Sequence, residues 1–113
     1  MKVSIYTLDE FERQARKLAK KYKSLTNDLR SFQKELMENP LRGDDLGGGV
    51  RKIRMAITSK GKGKSGGSRV LTYNIQQQSE DEISVTLMTI YDKGDISNVS
   101  DAYIRNLVQQ IEK

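Results

Sequence analysis

From Val50 to Ile75, two runs of alternating apolar and polar residues flank a connection built from glycine, lysine and serine. Alternation with a period of two is the signature of a β-strand, so this stretch commits the chain to at least two strands joined across a glycine-rich loop. In the first run Ile53, Met55 and Ile57 fall on one face and Lys52, Arg54 and Ala56 on the other. In the second, Arg69, Leu71, Tyr73 and Ile75 share a face, with Val70 and Thr72 behind them. Apolar residues on both faces predict an interior strand covered on both sides. The same stretch carries the charge: between Leu46 and Ser79 stand Arg51, Lys52, Arg54, Lys60, Lys62, Lys64 and Arg69, and no acid. Elsewhere the acidic residues outnumber the basic ones, so this segment accounts for the whole net charge of +5. A field of that sign attracts polyanions.

The remaining elements follow from periodicity. Lys2 to Tyr6 predicts an opening strand. Thr7, with Glu10 three residues on, has the pattern of a capping box. Leu8, Phe11, Ala15, Leu18 and Tyr22 then give the stripe of a first amphipathic helix. Its other face carries Arg13, Arg16, Lys17, Lys20, Lys21 and Lys23, which fits both a solvated face and a phosphate contact. Ser24 is the expected cap of a second helix, with Leu25, Leu29, Phe32 and Leu36 as its stripe and Asn39 before Pro40 as its end. A short join predicts a helical hairpin. The segment 39–49 reads as a loop. Ile83, Val85 and Leu87 mark a further strand, with Met88 and Ile90 behind it, joined to its predecessor by a turn over 78–82 in an antiparallel pair. A cap within Ser97 to Ser100 precedes a closing helix with Tyr103, Ile104, Leu107, Val108 and Ile111 on its stripe. The expectation is a single α+β domain over 1–113, in the order β-α-α-β-β-β-α, with a small antiparallel or mixed sheet.

Composition removes several chemistries. The chain has no cysteine and no histidine, so it lacks thiolates and the commonest general base and zinc ligand. Lys, Arg, Tyr, Asp and Glu are what remain for catalysis. No apolar run reaches membrane-spanning length and no signal-peptide core is visible, which points to the cytoplasm. Gly63, Lys64 and Ser65 resemble the end of a phosphate-binding loop, but Thr58 stands where that motif needs its first glycine, and a strand follows instead of a helix. Lys60, Lys62 and Lys64, spaced by glycine and serine, fit a flexible cationic loop that follows nucleic-acid phosphates, or a solvated hairpin tip. Lys52, Arg54 and Arg69 on neighbouring strands repel one another. An anion between them would satisfy all three; the structural alternative is a strand edge protected by charge.

Several segments together resemble a known family. They are Lys52, Ile53 and Arg54; the run from Gly61 through Lys62, Lys64 and Ser68 to Arg69 and Val70; the run Ile90, Tyr91, Asp92, Lys93, Gly94; and the order of elements. All resemble the RelE/HigB-type toxins of bacterial type II toxin–antitoxin modules, over nearly the whole chain. The resemblance implies a RelE-like fold and an endoribonuclease, needing no metal or cofactor, that cleaves mRNA in the ribosomal A site. It also implies a cognate antitoxin protein, and contact with the ribosome and its 16S rRNA. By position, it makes Lys52, Arg54, Arg69 and Lys93 the catalytic candidates. Arg69 stabilises the phosphoryl charge, Lys52 serves proton transfer or the 2′-oxygen, and Lys93 serves the leaving group. Arg51, Lys60, Lys62 and Lys64 are RNA-binding candidates, and Tyr91 is the candidate for stacking on a base. Some members use a late tyrosine; here Tyr103 lies on the helical stripe and reads as core. Two other readings fit the residues less well: a ParE-type DNA gyrase inhibitor and an RNA-binding module without cleavage.

Overall fold

Residues 2–77 and 81–112 are described by the structure, a computed structural model. Strand β1 (Lys2–Thr7) leads into helices α1 (Asp9–Lys21) and α2 (Leu25–Glu38). Then come β2 (Asp44–Gly47), β3 (Val50–Met55), a 3-10 turn (Thr58–Lys60), β4 (Ser68–Gln77), β5 (Glu82–Asp92) and α3 (Asp101–Ile111). The five strands form one mixed sheet in the order β1-β5-β4-β3-β2. β1 runs parallel to β5, and the other neighbours are antiparallel. The expected α+β class and order hold, with one strand added. The turn expected over 78–82 lies largely outside the described residues.

Each face of the sheet has its own core. Phe11, Leu18, Leu25, Phe32 and Leu36 of the two N-terminal helices bury against Ile53, Met55, Val70, Val85, Leu87 and Ile90. On the other face Leu107 of α3 packs with Val50, Leu71, Tyr73, Met88 and Tyr91. The alternation of β3 and β4 thus sorts their side chains as the sequence predicts, and β4 is interior and covered on both sides.

The structure corrects three local expectations. The loop foreseen over 39–49 contains β2, which closes the sheet edge beside β3. Its Asp44 and Asp45 stand opposite Lys52 and Arg51, so opposite charges on paired strands support an element with no apolar pattern. The Thr7 capping box does not form. The Leu8 N–H instead bonds Leu87 O at 3.0 Å, prolonging the β1–β5 ladder and making Leu8 the cap residue. The Thr7 hydroxyl donates to Glu12 at 2.9 Å. Met88 and Ile90 do not share a face. The register shifts here, with Leu71 opposite Thr89 but Thr72 opposite Leu87, so Met88 is the extra residue of a β-bulge. Met88 faces α3, behind Leu87 as expected, and the extra residue brings Ile90 back to the face of Leu87 under the helical hairpin.

Gly67 sets how closely the glycine-rich loop approaches β3. A Cβ there would lie 2.4 Å from Met55 O and 3.0 Å from Ala56 Cα, both backbone atoms with no room to yield. Gly67→Ala is expected to destabilise the fold by about 2 kcal/mol, an overpacking cost. Chemical denaturation reads it, and an unchanged midpoint would show that the junction is looser than this.

Candidate functional site

Register places the cationic residues. Arg54 of β3 lies directly opposite Arg69 of β4, and Arg69 directly opposite Tyr91 of β5. One row away, Lys52 is opposite Leu71. Lys52, Arg54 and Arg69 therefore occupy the sheet face that carries α3. Among the described residues, none of the three has an acid within ion-pair distance. Like charges opposed across a ladder cost stability, and the fold keeps this pair unneutralised.

Arg69 is 8% exposed, yet no carboxylate meets it. Its guanidinium donates to the carbonyls of Lys64 (3.1 Å), Ser65 (3.0 Å) and Ser68 (3.1 Å). Neutral carbonyl dipoles fix the group without cancelling its charge. A guanidinium has five N–H donors. Nε makes no hydrogen bond and keeps solvent contact, so donors remain for an anion. Arg54 is exposed and Lys52 half-buried. Lys52 also lines a groove of about 630 Å³ between α3 and the β2–β3 hairpin, together with Asn98 and Arg105.

Lys93 follows β5, where its N–H bonds Gly67 O at 3.0 Å and extends the ladder one step past Asp92. Strand alternation puts it on the face of Tyr91 and Arg69. The loop itself is folded rather than open. Gly66 N–H bonds Lys62 O (3.3 Å) and Gly67 N–H bonds Lys64 O (3.4 Å), while Gly61 and Gly63 take positive φ angles of 74° and 63°. The Lys62 and Lys64 residues are exposed on it.

Three candidates stand elsewhere. Arg51 is on the opposite face of β3 from its neighbours, 3.8 Å from Asp45 and 3.3 Å from Gly43 O. Lys60 leaves the loop's cationic surface altogether. Its ammonium donates to Asp92 at 2.6 Å beneath the helical hairpin and lies 6.0 Å from the Tyr22 ring centroid. Tyr91 is 6% exposed among Leu71, Met88 and Leu107, so its ring presents no face for a base to stack on. Its buried hydroxyl has no hydrogen-bond partner. Burial raises its pKa, and the charge of Arg69 works against that rise. Tyr103 is tied down as well: its hydroxyl meets Thr89 (2.9 Å) and Glu10 (2.5 Å). Burial and the bond to Glu10 push it up to about 12.

Asp92 is the anchor of the loop's start. Burial favours its neutral form, but hydrogen bonds from Lys60, Tyr22 (2.5 Å) and the Gly94 N–H (2.8 Å) outweigh this and hold the carboxyl at about 2. A carboxyl depressed from 3.8 contributes stability that is present above that value and lost as pH falls through about 2. Between pH 4 and pH 2 the protein is expected to lose about 2 kcal/mol from this group. Asp92→Asn abolishes that component, and acid titration of urea midpoints for both proteins measures it. Parallel acid profiles would assign the acid sensitivity to other carboxylates.

Sequence reasoning missed Arg42 and Arg105, which line clefts beside Arg54 and Lys52 respectively. No periodicity marks Arg42, which follows Pro40 in an irregular segment. The polar face of α3 offers no signal that singles out Arg105.

A family model described as the RelE toxin of the RelE/RelB toxin–antitoxin system matches residues 3–112. That span takes in all three helices, the sheet and every candidate residue placed above. The chain therefore belongs to the RelE toxin family, the toxin half of a pair whose other half is a cognate antitoxin.

Proposed function

We propose that this toxin is a metal-independent endoribonuclease that cleaves mRNA in the ribosomal A site, in the cytoplasm, and so stops translation. The observation that carries the reading is the Arg54–Arg69 pair with Lys52 on the same face, three cations with no acid within ion-pair distance among the described residues. In the reaction the ribose 2′-oxygen forms a bond to the adjacent phosphorus, and the bond from phosphorus to the 5′-oxygen breaks. One proton leaves the 2′-hydroxyl and one reaches the 5′-oxygen. Extra negative charge gathers on the phosphoryl oxygens, and fixed cations aimed there lower the barrier. Arg69, held by three carbonyls, is preorganised for that role. Arg54 shares the charge, Lys52 handles the 2′-oxygen and Lys93 the leaving group. Lys62 and Lys64 hold flanking phosphates, and 16S rRNA helps to orient the message.

Inducible expression in bacteria with mapping of transcript 5′-ends tests this. New ends at in-frame codon positions, confined to translated regions, are expected. Growth arrest with intact transcripts would sink the nuclease reading and favour gyrase as target, which a supercoiling assay decides.

A further inference from the structure

We propose that the cleft between α2, the end of β3 and the glycine-rich loop is a second phosphate subsite, holding the RNA backbone beside the cut. The inference rests on the ribonuclease reading and extends it to a residue outside the catalytic cluster, Arg42. The cleft has a volume of about 200 Å³, and Phe32, Glu35, Arg42, Arg54, Thr58 and Lys64 are among its lining residues.

Three cationic residues line it. Arg54 and Lys64 have no ion-pair partner among the described residues. Arg42 lies over the Phe32 ring, 5.9 Å from its centroid. Its Nη1 is buried and 3.3 Å from Glu35 Oε2, but the geometry of that pair makes no hydrogen bond. A buried donor beside a poorly aligned carboxylate is costly, and a turn of the guanidinium towards an anion in the cleft would satisfy it. The second acid of the cleft, Asp28, is already committed. It accepts from the Thr58 N–H (2.9 Å), the Thr58 hydroxyl (2.6 Å) and the Ser24 hydroxyl (2.7 Å). Those donors are neutral and leave the Asp28 charge in place, so three cationic residues face two carboxylates, Asp28 and the half-exposed Glu35, and the cleft keeps one net positive charge.

Continuity with Arg69 identifies the anion as a phosphodiester of the same strand. Arg54 is the cross-strand neighbour of Arg69, and the Lys64 carbonyl is one of the three that hold the Arg69 guanidinium. A phosphate chain passing Arg69 on the α3 face reaches the cleft by rounding the end of β3 at Arg54, where β2 no longer pairs and the edge is open. A small cationic pocket suits a phosphate group, which a planar guanidinium binds through paired hydrogen bonds.

The test is fluorescence anisotropy with a 2′-deoxy single-stranded oligonucleotide, which cannot be cut, across 50–200 mM salt, a range in which phosphate contacts show their salt dependence. Removing one phosphate contact lowers the slope of log K against log salt by about 0.7 for a single strand. Arg42→Ala is expected to show that loss and to weaken low-salt binding by about three- to fivefold for every base sequence. Glu35→Gln is expected to tighten binding, because it frees Arg42 and removes one of the two acids that line the cleft. If Arg42 merely braces α2 through Glu35 and Phe32, both variants lower the unfolding temperature and neither changes the slope. That outcome overturns the subsite, as does an unaltered slope in a well-folded Arg42→Ala protein. Failure of the wild-type protein to bind at 50 mM salt also overturns it, while transcript mapping decides the nuclease reading separately.

Discussion

Arg69→Ala is expected to lower the rate of mRNA cleavage on translating ribosomes by about 10²- to 10³-fold, the loss seen when one preorganised donor to a developing oxyanion is removed. The effect on folding should be small. Arg69 gives two of its three hydrogen bonds to carbonyls of an exposed loop, which water can satisfy, and one to the buried Ser68, while its charge opposes Arg54 across the ladder. Deleting it removes a repulsion that offsets the lost packing and the Ser68 bond, so stability is expected to change little. Lower activity together with little-changed stability is the mark of a group kept for chemistry. Arg69→Lys should rescue little, since an ammonium cannot hold the three carbonyls and still present donors in a plane. Single-turnover cleavage and thermal unfolding on the same protein samples decide it. A variant that loses activity only because it unfolds would remove Arg69 from the site.

The second large effect is expected at Lys60, and it concerns stability. Lys60→Ala leaves Asp92, which is 3% exposed, without its closest cation. Breaking a buried pair by removing one partner costs about 3–5 kcal/mol. The Tyr22 hydroxyl and the Gly94 N–H still serve the carboxylate, which puts the expectation near the lower end, about 3 kcal/mol. The double variant Lys60→Ala, Asp92→Asn should recover part of the loss, because no buried charge is left unpaired. Urea denaturation of the four proteins closes the cycle. Full stability of Lys60→Ala, with weakened RNA binding, would return Lys60 to the cationic surface that the sequence suggested for it.

These two residues show what could be read from the chain and what could not. Alternation put Lys52 and Arg54 on one face of β3 and Arg69 with Leu71 and Tyr73 on one face of β4, but only the β3–β4 register shows that the two faces are the same. In β5 nearly every residue is buried, so a period of two carries no sign, and the bulge at Met88 left no trace in the pattern. β2 is four exposed residues, Asp44 to Gly47, held by partners on another strand, and its own composition says turn. Lys60 and Tyr91 were misplaced for one shared reason. Their environments are set by contacts far along the chain, Lys60 by Asp92 and Tyr91 by Leu107 of the closing helix. A lysine between a serine and a glycine looks solvated until such a partner is known. Arg42 went unread because its value comes from a cleft between three separate segments.

The parallel pairing of β1 with β5 has a bearing on how the toxin comes into being. Lys2 aligns with Glu82, and Thr7 with Leu87, so the first strand made must wait for almost the last. While the chain emerges from the ribosome, β3 and β4 can pair as a hairpin, but Asp92 is not yet there to fix Lys60 at the entrance to the loop. Closing contacts so distant in sequence is slow, because chain entropy is lost before the contacts repay it. The nascent toxin is thus unarmed for most of its own synthesis. The ribosome that translates it has nearly finished before the chain can acquire the face proposed to attack ribosomes.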